Sequence, residues 1–411
     1  MICCDGEAIR SLNPACIQQM SIKHDHITVL REGLAKRDPA CRFELNHNML
    51  SKIISIGTAV PSFKHEQHDI LQFMQKIYAM NESENRKLRF LYRQSGIDRR
   101  YSVVGDYSRH ITDWKFYPQS ENLEPFPGLE QRMDWYNKYA APLSVDAIRK
   151  CMDNKIKPDE ITHLITVSCT GMSAPGLDLQ IVELMQLSKN IFRTSVNFMG
   201  CYAAIHALKL ANAICIVEPN AKVIIVCTEL CTLHFQRAPT MDNIASGLLF
   251  SDGSAAALIT GDNNNTRGIR LKNFYSEILS KGKKDMAWEL SSTGFLMTLS
   301  NYVPDLLEED FKKCTETALE QTGLTVTDIT HWCIHPGGKR ILEAVAKSLD
   351  IHKEKLEPSY EILRQYGNMS SATILFVLEK MMKDMDYDQS NTIFSAGFGP
   401  GLTLETFIAE T

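Results

Sequence analysis

The chain has 411 residues, 44% of them hydrophobic and 23% charged, with a formal net charge of −5. At roughly 150 residues per domain that length suits two domains, and the net acidity excludes a dedicated nucleic-acid binder, which carries a basic stripe. No run approaches the roughly 20 apolar residues of a membrane-spanning helix. The amino terminus, MICCDGEAIRSLNPAC, lacks the layout of a secretory signal. A reducing, cytoplasmic setting is therefore expected for the 12 cysteines. None forms a CxxC pair of the zinc-binding kind, and most sit in apolar runs such as IIVCTEL, where a free thiol packs as a small hydrophobe.

Residues 1–48 show no helical or strand period and are expected to form a poorly structured extension. At Met49 the text changes to MLSKIISIGTAVP, a strand followed by a turn. Residues 67–93 carry a helical stripe through Ile70, Phe73, Met74 and Ile77 and end in the basic run RKLRFLYR. Residues 104–135, rich in Trp, Tyr, Pro and Asp, predict loops and short helices. From about residue 140 strands and helices alternate: ITHLITVSCT, GLDLQIVELMQL, RTSVNFM, CYAAIHALKLANAICIV, AKVIIVCTEL. That alternation predicts an α/β architecture with covered sheets.

The alternation also repeats. ITHLITVSCTG from Ile161 is echoed by ITHWCIHPGGK from Ile329, and Gly200-Cys201 by Gly367-Asn368, each opening an apolar helix. Each helix leads to a strand, VIIVCTEL or TIFSAGFG, and then to a last one, SAAALIT or GLTLETFI. The pattern is too long for a solenoid. It divides the chain into an N-terminal half, 49–265, and a C-terminal half, 266–411.

The duplication groups three polar residues. Cys201 follows a glycine at a helix start, where free N–H groups and the helix dipole lower a thiol's pKa and can hold an oxyanion. Asn368 takes the matching place in the second half, and His335 ends the strand before Pro336-Gly337-Gly338. Nucleophile, base and hydrogen-bond donor make a triad, in which a thiol largely ionised near neutral pH is expected. Singly, each residue has a plainer explanation: core filler, a satisfied core histidine, a helix cap. Their shared placement at duplicated positions favours chemistry.

GNMSSATILFVLE, HPGG and GFGPGLTLET, with MGCYAA and FSDGSAAAL upstream, resemble the type III polyketide synthases, the chalcone-synthase-like group of the thiolase superfamily. The phrasing of VSCTGMSAPGLD and NFMGCYAA is closer to bacterial members. The resemblance implies thiolase-like duplicated α/β halves layered α-β-α-β-α, and a homodimer. It implies condensation of malonyl-CoA onto an acyl-CoA starter, with no cofactor and no metal. By position Cys201 matches the acyl-accepting nucleophile, and His335 and Asn368 match the pair that binds the thioester carbonyl. Phe250 and Met297 match the gatekeepers, Cys169 a small cavity position, and Gly338 and Gly399 glycines that shape the cavity. Trp288 falls near a position that is usually glycine. Lys87 matches a CoA-phosphate ligand whose partners are replaced by Phe90 and Gln94, so Arg89 and Arg93 are expected to substitute, and Lys339-Arg340 add charge.

Four rival readings use similar residues. An initiating ketoacyl-ACP synthase shares the fold but carries glutamine and alanine where this chain has Pro336 and Gly337. A thiolase would place a second cysteine where GFGPG stands. A papain-like hydrolase lacks duplicated halves, and a non-catalytic binding protein would not need all three polar groups.

Overall fold

The computed structural model describes residues 50–262, 266–300 and 302–411. The extension expected over 1–48 lies outside the described residues.

The strands, in chain order, are β1 (Ser51–Ala59), β2 (Phe63–Glu66), β3 (Arg99–Ser102), β4 (His163–Ser168), β5 (Phe192–Asn197), β6 (Lys222–Leu230) and β7 (Asp252–Gly261). They continue as β8 (Ile269–Ile278), β9 (Met286–Ser291), β10 (Gly294–Leu299), β11 (His331–Ile334), β12 (Thr392–Gly399) and β13 (Thr403–Glu410). The helices are α1 (Gln67–Tyr78), α2 (Glu82–Gln94), α3 (Leu129–Met152), α4 (Leu177–Met185) and α5 (Ala203–Val217). After them come α6 (Met241–Leu249), α7 (Val303–Glu320), α8 (Lys339–Leu349), α9 (Glu357–Tyr366) and α10 (Thr373–Asp384).

The main sheet runs β5-β4-β6-β7-β1-β8-β13-β12-β11. In one half β4 pairs parallel with β6, β6 antiparallel with β7, and β7 antiparallel with β1. In the other, β11 pairs parallel with β12, β12 antiparallel with β13, and β13 antiparallel with β8. The duplication is thus repeated in the hydrogen bonding. The halves meet where β1 and β8 exchange the pairs Ser51–Leu271, Lys52–Arg270 and Ile53–Ile269.

Side-chain alternation sorts these strands into layers. On β6, Ile224 and Val226 join the core under α3, whereas Val223, Ile225 and Cys227 join the core around α5 and α10. On β12, Ile393 faces that central core, and Phe394 and Ala396 face the core under α7 and α8. Helices α5 and α10 bury their apolar faces in that central core, between the two halves of the sheet. The order is helix, sheet, central helices, sheet, helix, the layering expected of a thiolase-like fold.

The stretch 67–93 is two helices, not one. The turn at 79–81 explains the break: Ala79 takes a left-handed φ of 46°, and the Asn81 Oδ1 accepts the Glu84 N–H at 3.0 Å while the Glu84 carboxylate accepts the Asn81 N–H at 3.0 Å. That reciprocal cap starts a new helix. Between β3 and α3 the buried Asp106 carboxylate accepts three backbone N–H groups, from Lys115, Phe116 and Tyr117, and so organises the aromatic loop. Helix α3 begins at Leu129, earlier than the loops expected through 135. Among the described residues no helix is long and apolar enough to cross a membrane.

Candidate active site

Cys201 stands in the turn between β5 and α5. Gly200 before it has φ 84°, and a Cβ there would lie 2.0 Å from Pro400 Cδ, so glycine is required on two counts. His335 follows β11, its N–H donating to Ala396 O at 2.9 Å. Asn368 precedes α10, and its backbone bridges to Phe250: its N–H donates to Leu249 O at 2.9 Å, and the Ser251 N–H donates to Asn368 O at 2.9 Å. Neighbouring layers thereby bring Cys201, His335 and Asn368 onto one cavity of about 320 Å³. Apolar side chains of α2, α6, β9 and β10 line most of the rest.

The polar groups are set for a guest. Asn368 Oδ1 accepts the Ser370 N–H at 2.8 Å, which turns its amide nitrogen toward Gly337 O, 3.2 Å away. His335 is 1% exposed, and neither ring nitrogen has a partner among the described residues. A buried imidazole without hydrogen bonds is costly unless a ligand completes it. The Cys201 thiol lies 3.6 Å from the Ser370 hydroxyl.

The expected thiolate is not what this site holds. Burial pushes the Cys201 thiol up to about 12, against the opposing effect of its hydrogen bond with Ser370. Burial likewise takes His335 down to about 3. Desolvation outweighs the helix terminus and favours a neutral thiol beside a neutral imidazole.

A second cavity, about 40 Å³, lies behind the first, and Phe250 and Met297 line both. Met297 pairs across the β9–β10 hairpin with Trp288. The Trp288 indole N–H donates to Cys169 O at 2.7 Å, and its ring meets the edges of His234 and Phe295. His234 is held neutral by burial, at about 3. One of its ring nitrogens bonds Thr170 O at 2.7 Å and the other accepts the Phe295 N–H at 3.1 Å.

Of the expected cavity residues, Phe250, Met297 and Gly338 line the main cavity. Two do not. Cys169 points its sulfur at the Gly200 N–H, 3.1 Å away, and so braces the nucleophile's turn. Gly399 lies beneath that turn, where a Cβ would meet Tyr202 Cδ1 at 2.5 Å; its neighbour Phe398 reaches the cavity instead. The basic residues divide between the cavity wall and the surface around it. Helix α2 presents Phe90, Leu91 and Gln94 to the cavity. Lys87 and Arg93 are exposed outside the lining, and Arg89, on another face, pairs with Glu82 at 2.7 Å. The cations at the cavity wall are Lys339 and Arg340.

Sequence reasoning missed Ser370 and Glu229. Glu229 is fully buried; its carboxylate accepts from Cys169 N–H, the Thr170 hydroxyl and the Ser371 hydroxyl, and burial raises it to about 7. A carboxylate ending the apolar strand VIIVCTEL was the available signal.

Comparison with known proteins agrees with this geometry. The profile described as "Chalcone and stilbene synthases, N-terminal domain" matches residues 41–263, and the corresponding C-terminal domain matches 270–411. "Alpha-pyrone synthesis polyketide synthase-like Pks18" of Mycobacterium tuberculosis is 28% identical over 92% of this chain and 94% of its own. "Probable polyketide synthase 1" of Dictyostelium discoideum is 27% identical over 95% of this chain, which spans only 12% of that longer protein. The crystal structure of PKS-I from the brown alga Ectocarpus siliculosus superposes with a TM-score of 0.82 at 25% identity, covering 88% of this chain and 98% of that one.

Proposed function

Because the chain belongs to the chalcone and stilbene synthase family, the type III polyketide synthases, we propose that it condenses malonyl-CoA units onto an acyl-CoA starter held on Cys201 and then cyclises the product. As the sulfur attacks the starter's thioester carbonyl, the thiol proton is relayed by His335 to the departing CoA sulfur, and CoA leaves as its thiol. Malonyl-CoA then loses its carboxylate as carbon dioxide. The electron pair left behind forms an enolate, whose oxygen accepts hydrogen bonds from a His335 ring N–H and the Asn368 amide. The enolate carbon attacks the Cys201 thioester and releases the sulfur. An oxyanion donor of this kind contributes about 2.7–4 kcal/mol, so the scheme calls for no cofactor beyond the CoA thioesters.

The observation that carries this reading is the pair of unpartnered His335 nitrogens in a cavity shared with Cys201 and Asn368. Cys201→Ala tests it: condensation should vanish while malonyl-CoA decarboxylation persists. Condensation surviving in that variant would refute the nucleophile assignment, and Asn368→Ala with full decarboxylation would refute the donor.

A homodimer is part of the proposal. Edge strand β5 leaves its backbone unpaired on one side, with Phe192 64% exposed and Leu184 of α4 51% exposed. Light scattering at micromolar concentration tests it, and a monomeric mass would count against it. Use of CoA thioesters supports a cytoplasmic location.

A further inference from the structure

Strand β3 carries a charge into the interior. Arg100 is 4% exposed and makes no ion pair among the described residues. The buried Asp252 carboxylate of neighbouring β7 is occupied by the Val103 N–H at 2.8 Å, the Thr232 N–H at 2.8 Å and the Thr232 hydroxyl at 2.7 Å. A buried, unneutralised guanidinium is costly. Its retention needs a reason beyond packing.

The guanidinium holds backbone instead. Arg100 Nη1 donates to Phe250 O at 2.6 Å and Nε donates to Gln67 Oε1 at 2.9 Å. The Gln67 amide in turn donates to Leu248 O at 3.0 Å. Leu249, Phe250 and Ser251 form the segment bridged to Asn368. On the other side of that bridge Gly367 has φ 70°, and a Cβ there would lie 2.9 Å from Arg100 Cγ. One side chain therefore holds one member of the bridge, Phe250, and lies beside Gly367, the residue that precedes the other member, Asn368.

We propose that Arg100 is a positioning residue for the condensation: its guanidinium locks the 248–251 segment against 367–368 and so fixes the Asn368 amide and the Phe250 ring relative to Cys201. This rests on the role given to Asn368 above. Arginine suits the task because its planar fork donates in two set directions, to Gln67 and to Phe250, whereas a lysine ammonium has no fixed fork.

The test compares Arg100→Met, Arg100→Ala and Arg100→Lys in malonyl-CoA decarboxylation, with Tm measured alongside. Misplacing a catalytic donor by about 1 Å costs roughly 100-fold. Met and Ala should therefore lose about 100-fold in kcat while KM for malonyl-CoA shifts less than about threefold. Methylguanidinium, entering the space left in Arg100→Ala, should restore kcat at concentrations that leave Tm unmoved. A lowered Tm with wild-type kcat per folded molecule, and no response to methylguanidinium, would reduce Arg100 to scaffolding and overturn the proposal. Should Met and Ala fail to fold, Arg100→Lys carries the test: an intermediate kcat at unchanged KM supports the fork, and full kcat overturns it. Asn368→Ala separates the two levels. If it loses decarboxylation while Arg100→Met keeps it, the Arg100 inference alone fails; if it keeps decarboxylation, the reading beneath fails first.

Discussion

A single methyl group at Gly399 should separate the two half-reactions. The Cβ of Gly399→Ala would sit 2.5 Å from Tyr202 Cδ1, 2.8 Å from Tyr202 Cε1 and 3.3 Å from Cys201 N. Carbon pairs settle at about 3.5–4.0 Å, so the shortfall is about 1 Å. Tyr202 is 8% exposed, which leaves its ring little room to swing away. The turn carrying Cys201 must then move. Overpacking of this kind costs about 1–3 kcal/mol of stability, and a 1 Å displacement of a nucleophile costs roughly 100-fold in rate. His335 and Asn368 stand on other elements, so decarboxylation should stay within about threefold of wild type. The assay follows carbon dioxide release and product formation in parallel on folded protein. Equal losses in both, or condensation within threefold of wild type, would refute the argument that Gly399 seats the nucleophile's turn.

Glu229 sets a pH signature. Its folded pKa is raised from 4.5 to about 7, so the folded state binds the extra proton: stability from this group is full below the ordinary carboxylate value and is lost as pH rises through about 7, by at most about 3 kcal/mol. Urea unfolding should therefore show Glu229→Gln gaining on wild type between pH 5 and pH 8; a pH-independent difference would contradict it. Trp288→Ala should open the small inner chamber and give heavier products by mass spectrometry, whereas an unchanged product set from folded enzyme would show that the indole does not limit chain growth. Lys339→Ala and Arg340→Ala should each raise KM for malonyl-CoA about fivefold, on the order of 1 kcal/mol for a partly exposed contact. Arg89→Ala, outside the cavity lining, should leave KM unchanged, and the reverse ranking would restore the assignment made from sequence.

Much of this protein was legible without coordinates. Apolar strand-like runs marked β4, β6 and β12, and the echo of Ile161 in Ile329 predicted a duplicated α/β frame, because apolar runs and helix periodicity are local. Glycine before Cys201 and before Asn368 flagged both turns, since a left-handed φ is a local demand. Other features were hidden because they sum over residues far apart in the chain. Helix α2 offered Lys87, Arg89 and Arg93 alike, and only its tertiary placement decided that Phe90, Leu91 and Gln94 face the cavity. The hydrogen bond from Trp288 to Cys169 O spans two layers, and the Arg100 clamp reaches from β3 to the end of α6. The protonation of the site was the least local of all. A helix N-terminus predicts a lowered thiol pKa, but burial by side chains from both halves strips water from Cys201 and His335 together and raises one while lowering the other. Residue order determined the duplicated frame and its two glycine turns; tertiary structure decided which side chains share the cavity and which of them are charged, because desolvation depends on everything packed around a group.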